Sequence, residues 1–142
     1  MYKTIILLAI LIRFSFTTTA QDHSAQQIKT LLSQQEHHWN EGDIEKFMEP
    51  YWKSDSLMFI GKSGVTYGWD KTLANYKRSY PDTASMGKLK FEIVEMKRLS
   101  VMYYHVVGKW HLSRSIGDLA GHFTLLIKRI GKEWVIVSDH SS

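Results

Sequence analysis

The sequence contains no cysteine. That excludes a disulfide framework, thiolate metal ligands and lipid attachment through an N-terminal cysteine, so packing alone has to hold the fold. Proline occurs only at Pro50 and Pro81, and each closes a helical pattern rather than interrupting one. There is no Asn-x-Ser/Thr site, internal repeat or low-complexity segment. Despite a formal net charge of +4, there is no dense basic block. Lys97-Arg98 and Lys128-Arg129 are pairs at strand ends, and Lys71, Lys77 and Arg78 are dispersed along one helix. Nucleic-acid binding requires a concentrated stripe, so that class is excluded. Gly-x-Ser-x-Gly and glycine-rich phosphate loops are missing as well.

The first residues carry a different signal. Lys3 supplies a basic start, Ile5 to Ile12 an apolar run, and Thr18-Thr19-Ala20 a small-residue cleavage site. This predicts a secretory signal peptide over 1–20 and a secreted or periplasmic product. The run falls short of the roughly 20 apolar residues of a membrane span, and Arg13 interrupts it. No membrane association is expected after signal removal. Residues 21–142 suffice for one domain with one pocket.

Periodicity supplies the elements. Ser24 with Gln27 matches a capping box, and Ile28, Leu31, Leu32, Gln35 and Trp39 recur at helical spacing up to Gly42. Asp43 opens a short second helix with Ile44, Phe47 and Met48 inward, ended by Pro50. Residues 57–60 and 65–67 read as a hairpin across Gly61-Lys62-Ser63-Gly64. Asp70 is placed to cap a third helix with the stripe Trp69, Leu73, Tyr76 and Tyr80. Beyond Lys88 the period becomes two, predicting strands over 88–99, 101–113, 119–130 and 132–139 with short antiparallel connections. In the second of these, Met102, Tyr104, Val106, Gly108, Trp110 and Leu112 form one apolar side. Three helices and a long sheet make an α+β arrangement, and a bent sheet around helices leaves a cavity at its open end.

The runs Trp39-Asn40-Glu41-Gly42-Asp43, Phe59-Ile60-Gly61 with Gly68-Trp69, Gly108-Lys109-Trp110, Gly121-His122-Phe123-Thr124-Leu125 and Trp134 to Ser142 resemble the nuclear-transport-factor-2-like superfamily. They are most similar to its secreted SnoaL-like branch, known as domain of unknown function 4440. The resemblance covers the whole chain after the leader. It implies three N-terminal helices packed in the concave face of a strongly curved, mainly antiparallel sheet, a conical pocket, and homodimers formed through the sheet. The superfamily holds polyketide cyclases, dehydratases, ketosteroid isomerase and non-catalytic domains, so the fold does not carry one reaction. Ketosteroid isomerase uses an aspartate base with a tyrosine and a protonated aspartate. The matching positions fall near Ile60, Gln35 and Gly121, and none retains its group.

The remaining candidates are read from the residues. Gln35 interrupts an apolar stripe, so its amide either faces a pocket or meets water at a boundary. Tyr51, Trp52, Phe59, Tyr67, Trp69, Tyr76, Tyr104, Trp110 and Trp134 are mostly core rings on composition grounds. Their number nonetheless exceeds what packing needs, and the expected pocket set is Gln35, Trp39, Phe59, Tyr67, Trp69, Tyr76, Tyr104, Trp110 and Phe123. His37 and His38 are adjacent on a helix and His105 and His111 lie too far apart on a strand, so no metal site is expected. Alternation sends His122 to the side opposite Phe123. Asp139 and His140 end the last strand and are the candidate proton-transfer groups. Alternation along Trp134-Val135-Ile136-Val137-Ser138-Asp139 puts Asp139 opposite Trp134 and Ile136. A direct Asp139–His140 dyad is therefore disfavoured.

Because the resembling catalytic positions are vacant, the sequence tips toward a secreted protein that binds a small apolar or aromatic molecule without a cofactor. A cofactor-independent isomerase, cyclase or dehydratase using His140 or Asp139 is the alternative. A dimerisation module with a filled interior is the third reading.

Overall fold

The computed structural model describes residues 16–142, with side chains from His23 onward. The basic start and apolar run of the expected leader lie outside the described residues. Helix α1 spans Phe16–Asn40. It passes through Thr18–Ala20 and through Ser24, so Ser24 is a helix-interior residue and not the first cap. Its inward line is Ile28, Leu32, Gln35 and Trp39, all buried. The helix stops at Gly42, whose φ of 81° only glycine adopts easily. There Gly42 N–H donates to Trp39 O at 2.9 Å and Asp43 N–H to His38 O at 2.9 Å, a Schellman closure.

Helix α2, Ile44–Met48, starts where Asp43 accepts from Lys46 N–H at 2.9 Å. Helix α3, Trp69–Ser79, is capped two residues earlier than its acid suggested. Gly68 is its N-cap, and Asp70 lies in the first turn, facing the positive end of the helix dipole. A fourth helix, α4 at Thr83–Met86, was not anticipated. A single turn carries no apolar period, and what makes it is the capping box between Asp82 and Ser85.

The strands are β1 Met58–Gly61, β2 Gly64–Tyr67, β3 Lys88–Arg98, β4 Tyr103–Ser113, β5 Leu119–Ile130 and β6 Glu133–Ser141. They form one six-stranded sheet in the order β2-β1-β6-β5-β4-β3. All neighbours are antiparallel except β1 and β6, which run parallel with Phe59 opposite Asp139. The inward residues Tyr104, Val106 and Leu112 of β4 and Phe123, Leu125 and Ile127 of β5 pack under α1 and α2. The architecture is the expected α+β cone, with helices in the hollow of a curved sheet.

Two bulges bend that sheet. In β3, Ile93 pairs with Gly108 and Glu95 with Val107, leaving Val94 as the extra residue. In β6, Ile136 pairs with Ile127 and Ser138 with Leu126, so Val137 is extra. The second bulge falls where β6 changes neighbours. Before it, Ile136 exchanges hydrogen bonds with Pro50 and Trp52; after it, Ser138 faces Met58 of β1.

Candidate active site

The bulge at Val137 reverses the alternation of β6. Trp134 and Ile136 face the core before it, and Asp139 faces the core after it, with His140 outside. Strict alternation along the sequence put Asp139 on the opposite side. Asp139 is 3 % exposed. Its Oδ2 accepts from Tyr51 Oη–H at 2.6 Å and its Oδ1 from Ser141 Oγ–H at 2.8 Å. Tyr51 in turn shares a hydrogen bond with the hydroxyl of Tyr76 on α3. A chain of polar groups thus runs from α3 through the segment after α2 to β6.

Burial raises the Asp139 pKa from 3.8 to about 6; the bonds from Tyr51 and Ser141, and the nearby His140, act in the other direction. Burial raises both tyrosines well above 10.0, and the charge of Asp139 adds to it. Near neutral pH the tyrosines are therefore donors, while Asp139 is poised between acid and base.

These groups lie at the floor of a cavity of about 510 Å³ opening at one end of the cone. Leu32, Phe47, Phe91, Phe123 and Leu125 supply its apolar wall. Phe91 and Phe123 meet edge to face at 5.2 Å, as do Phe59 and Tyr76 at 5.6 Å. Asp139 is the one acid among the described lining residues, and Lys62 and Arg78 are the cations.

Of the residues expected at the pocket, Gln35, Trp39, Phe59, Tyr76, Trp110 and Phe123 line this cavity. Gln35 is fixed by its amide donating to Phe47 O at 3.0 Å. Trp39 donates to Met86 O at 3.1 Å. Three rings lie elsewhere. Tyr67 is 57 % exposed on edge strand β2. Trp69 packs behind the wall, its indole donating to Met48 O at 2.9 Å. Tyr104 is buried against Trp134 with ring centroids 5.2 Å apart. Of the two terminal candidates, Asp139 reaches the cavity, and His140 is exposed on the outer face of the sheet. His122 is exposed too. Among the described residues no three His, Asp or Glu side chains gather as metal ligands would.

Tyr51 counts among the surplus rings of the sequence, but nothing in the sequence marks it as the partner of Asp139. It follows Pro50 in a segment that reads as a helix exit, and its partner lies 88 residues away. Only the bridge from Tyr51 to Ile136 aligns the two.

No protein-family model and no curated protein matches the chain. Solved structures do. A protein of unknown function from Shewanella oneidensis, described as NTF-2 like, is 46 % identical, with a TM-score of 0.80 over 84 % of this chain and 98 % of that one. The chain belongs to the nuclear-transport-factor-2-like family. More remote members share the fold alone. A ketosteroid isomerase-like protein from Erwinia carotovora is 15 % identical, with a TM-score of 0.64 over 82 % of this chain and 93 % of that one. A cystatin-like fold protein from Burkholderia xenovorans is 19 % identical, with a TM-score of 0.68 over 86 % and 92 %. Asp139 stands opposite Phe59 on the adjoining strand.

Proposed function

We propose that this protein is an enzyme that moves a proton on a small, largely apolar carbonyl compound, with Asp139 as the proton carrier. The observation that carries the reading is a buried carboxylate, its pKa raised to about 6, that is the one acid among the described residues lining a cavity rich in rings. A general base works best when its pKa lies near the working pH. Asp139 takes a proton from carbon and the electron pair of that C–H bond passes to the adjacent carbonyl as an enolate. Where the substrate carries a β,γ double bond the enolate is a dienolate, and return of the proton to its γ-carbon gives the conjugated isomer and restores the carboxylate; return to the original carbon gives exchange alone. The step balances without a redox cofactor.

The test is proton exchange in deuterated water with a panel of small cyclic and aromatic ketones, followed by proton NMR. Exchange by the wild type and its loss in Asp139→Asn, with the variant folded by circular dichroism, support the reading. Equal exchange by both proteins, or none with any member of the panel, refutes it. The binder that the sequence favoured keeps one specific support: both Asp139 oxygens already accept protein hydrogen bonds. Under that reading native mass spectrometry finds a ligand retained equally by wild type and Asp139→Asn.

Secretion, the secreted branch of the family and a homodimer belong to the same proposal. The outer face of the sheet carries the half-buried Val107, Leu126 and Val137, a surface suited to a second copy. Light scattering and N-terminal sequencing of the exported product test these points.

A further inference from the structure

At the mouth of the cavity the chemistry changes from apolar to cationic. The register defines that level: Phe59 lies opposite Asp139 and Ile60 opposite His140 in the parallel β1–β6 pair. Continuing the pair brings Lys62 level with Ser142. The Ser142 main chain crosses Gly121, where a Cβ would lie 1.7 Å from Ser142 O, and Gly121 is the β5 partner of Trp110. Lys62 and Ser142 thus lie three residues, roughly 10 Å, along the strands from Asp139, and Trp110 one residue further through its pairing with Gly121.

Arg78, Lys62 and Trp110 all line the cavity. Arg78 is held in place: its guanidinium donates to Asn75 Oδ1 at 2.6 Å, and Asn75 donates to Thr66 Oγ1 on β2 at 3.1 Å. Neither Arg78 nor Lys62 pairs with a carboxylate among the described residues. On the opposite wall, Trp110 Nε1 is the one buried side-chain donor among the described residues without a hydrogen-bond partner. A buried donor left unpaired is unfavourable, and an indole N–H can only donate. All three therefore call for an acceptor, and two of them for an anion.

We infer that the ligand of this cavity is an amphipathic acid: an apolar or aromatic body bearing, at the mouth, a carboxylate met by Arg78, Lys62 and the Trp110 N–H. This deepens the proposed function and rests on its reading of the cavity, since it adds to a reacting end at Asp139 a separate anionic end. A guanidinium positioned by a neighbour suits a carboxylate by its paired donors.

The experiment is an NMR titration with two probes that carry no reactive ketone, 3-phenylpropanoate and 3-phenylpropan-1-ol. The expected result is that the acid binds about tenfold tighter than the alcohol, as one added charge-assisted hydrogen bond implies. The acid moves the indole N–H resonance that Trp110→Phe removes. Arg78→Ala with Lys62→Ala reduces the preference to near parity, and Arg78→Lys keeps only part of it. Asp139→Asn retains it, because the mouth is untouched. Equal affinity for acid and alcohol, no binding of the acid, a Trp110 indole that stays still, or a preference surviving the double substitution overturns the inference. Acid preference in Asp139→Asn together with no exchange by wild type leaves this inference standing and removes the proton-transfer reading.

Discussion

Tyr51 holds Asp139 through a 2.6 Å hydrogen bond that joins the exit of α2 to the end of β6. Both residues arrive at that contact by way of β6. Ile136 hydrogen-bonds the Pro50–Trp52 segment, the bulge at Val137 turns the strand, and Asp139 is delivered to the hydroxyl. The site's position therefore depends on a single extra residue in a strand.

The raised pKa of Asp139 makes stability depend on pH with a definite sign. An acid whose folded pKa of about 6 exceeds its unfolded 3.8 contributes most stability when protonated. That contribution is complete below about pH 4 and is lost as pH rises through about 6. Between pH 5 and pH 8 the loss is about 1.4 kcal/mol. Asp139→Asn has no such proton to lose. Denaturant melts at the two pH values should therefore show the variant gaining on the wild type by that amount at pH 8. A constant gap would contradict the assigned burial of charge.

Tyr51→Phe tests the hydroxyl separately. The bond from Tyr51 favours the ionised carboxylate, so its removal raises the Asp139 pKa beyond about 6. A hydrogen bond to a charged group contributes about 1.5–3 kcal/mol, which corresponds to roughly one to two pH units. Carbon-13 titration of the Asp139 carboxyl measures it directly, and under the proposed chemistry the acid limb of the rate profile moves the same way. A fall in the pKa, or no change, would show that Tyr51 does not hold the charge.

Much of the cone could be read from the sequence because its cause is periodic. The strand over 119–130 has the predicted ends, and burial alternates regularly through its middle, from Gly121 to Lys128. The helix stripe of Ile28, Leu32, Gln35 and Trp39 is equally regular and is buried as its spacing implies. The face of Asp139 is not legible in the sequence because a bulge changes phase without changing composition: Val135, Val137 and Ser138 look like any alternating run. Tyr104 and Tyr67 were grouped with the pocket rings because ring content does not say which face, or which depth, a ring occupies. Tyr51 needed a long-range pairing that no local pattern encodes. The floor of the site was thus visible as residue types, and its assembly was not.

Asn40 carries a prediction about the open edge of the sheet. Its side chain accepts from Leu89 N–H at 2.7 Å and donates to Leu89 O at 3.0 Å, much as a neighbouring strand would. Glu36 accepts from Phe91 N–H at 2.7 Å one step along. Helix α1 thereby covers the start of edge strand β3, a row of backbone groups otherwise open to another chain. Asn40→Ala should destabilise the fold by about 1–3 kcal/mol and speed amide exchange at Leu89 and Phe91. Unchanged protection at both amides would count against this role.

Gly108 tests whether the hollow is shaped by what is missing from the sheet. It pairs with Phe123 across β4 and β5, and a Cβ there would stand 2.2 Å from Phe123 Cζ and 2.9 Å from Glu92 O. The Phe123 ring therefore lies across the glycine and presents its face to the cavity beside Phe91. Backbone on one side cannot retreat, so in Gly108→Ala the ring has to swing away, into space the ligand would use. Overpacking of this kind costs about 1–3 kcal/mol. The loss should show in the urea midpoint together with weaker binding of any cavity ligand. Phe123→Leu on the Gly108→Ala background shortens the clashing group and should recover most of the stability, a coupling expected only for residues in contact. Additive losses in the double variant would mean that Phe123 does not rest on Gly108.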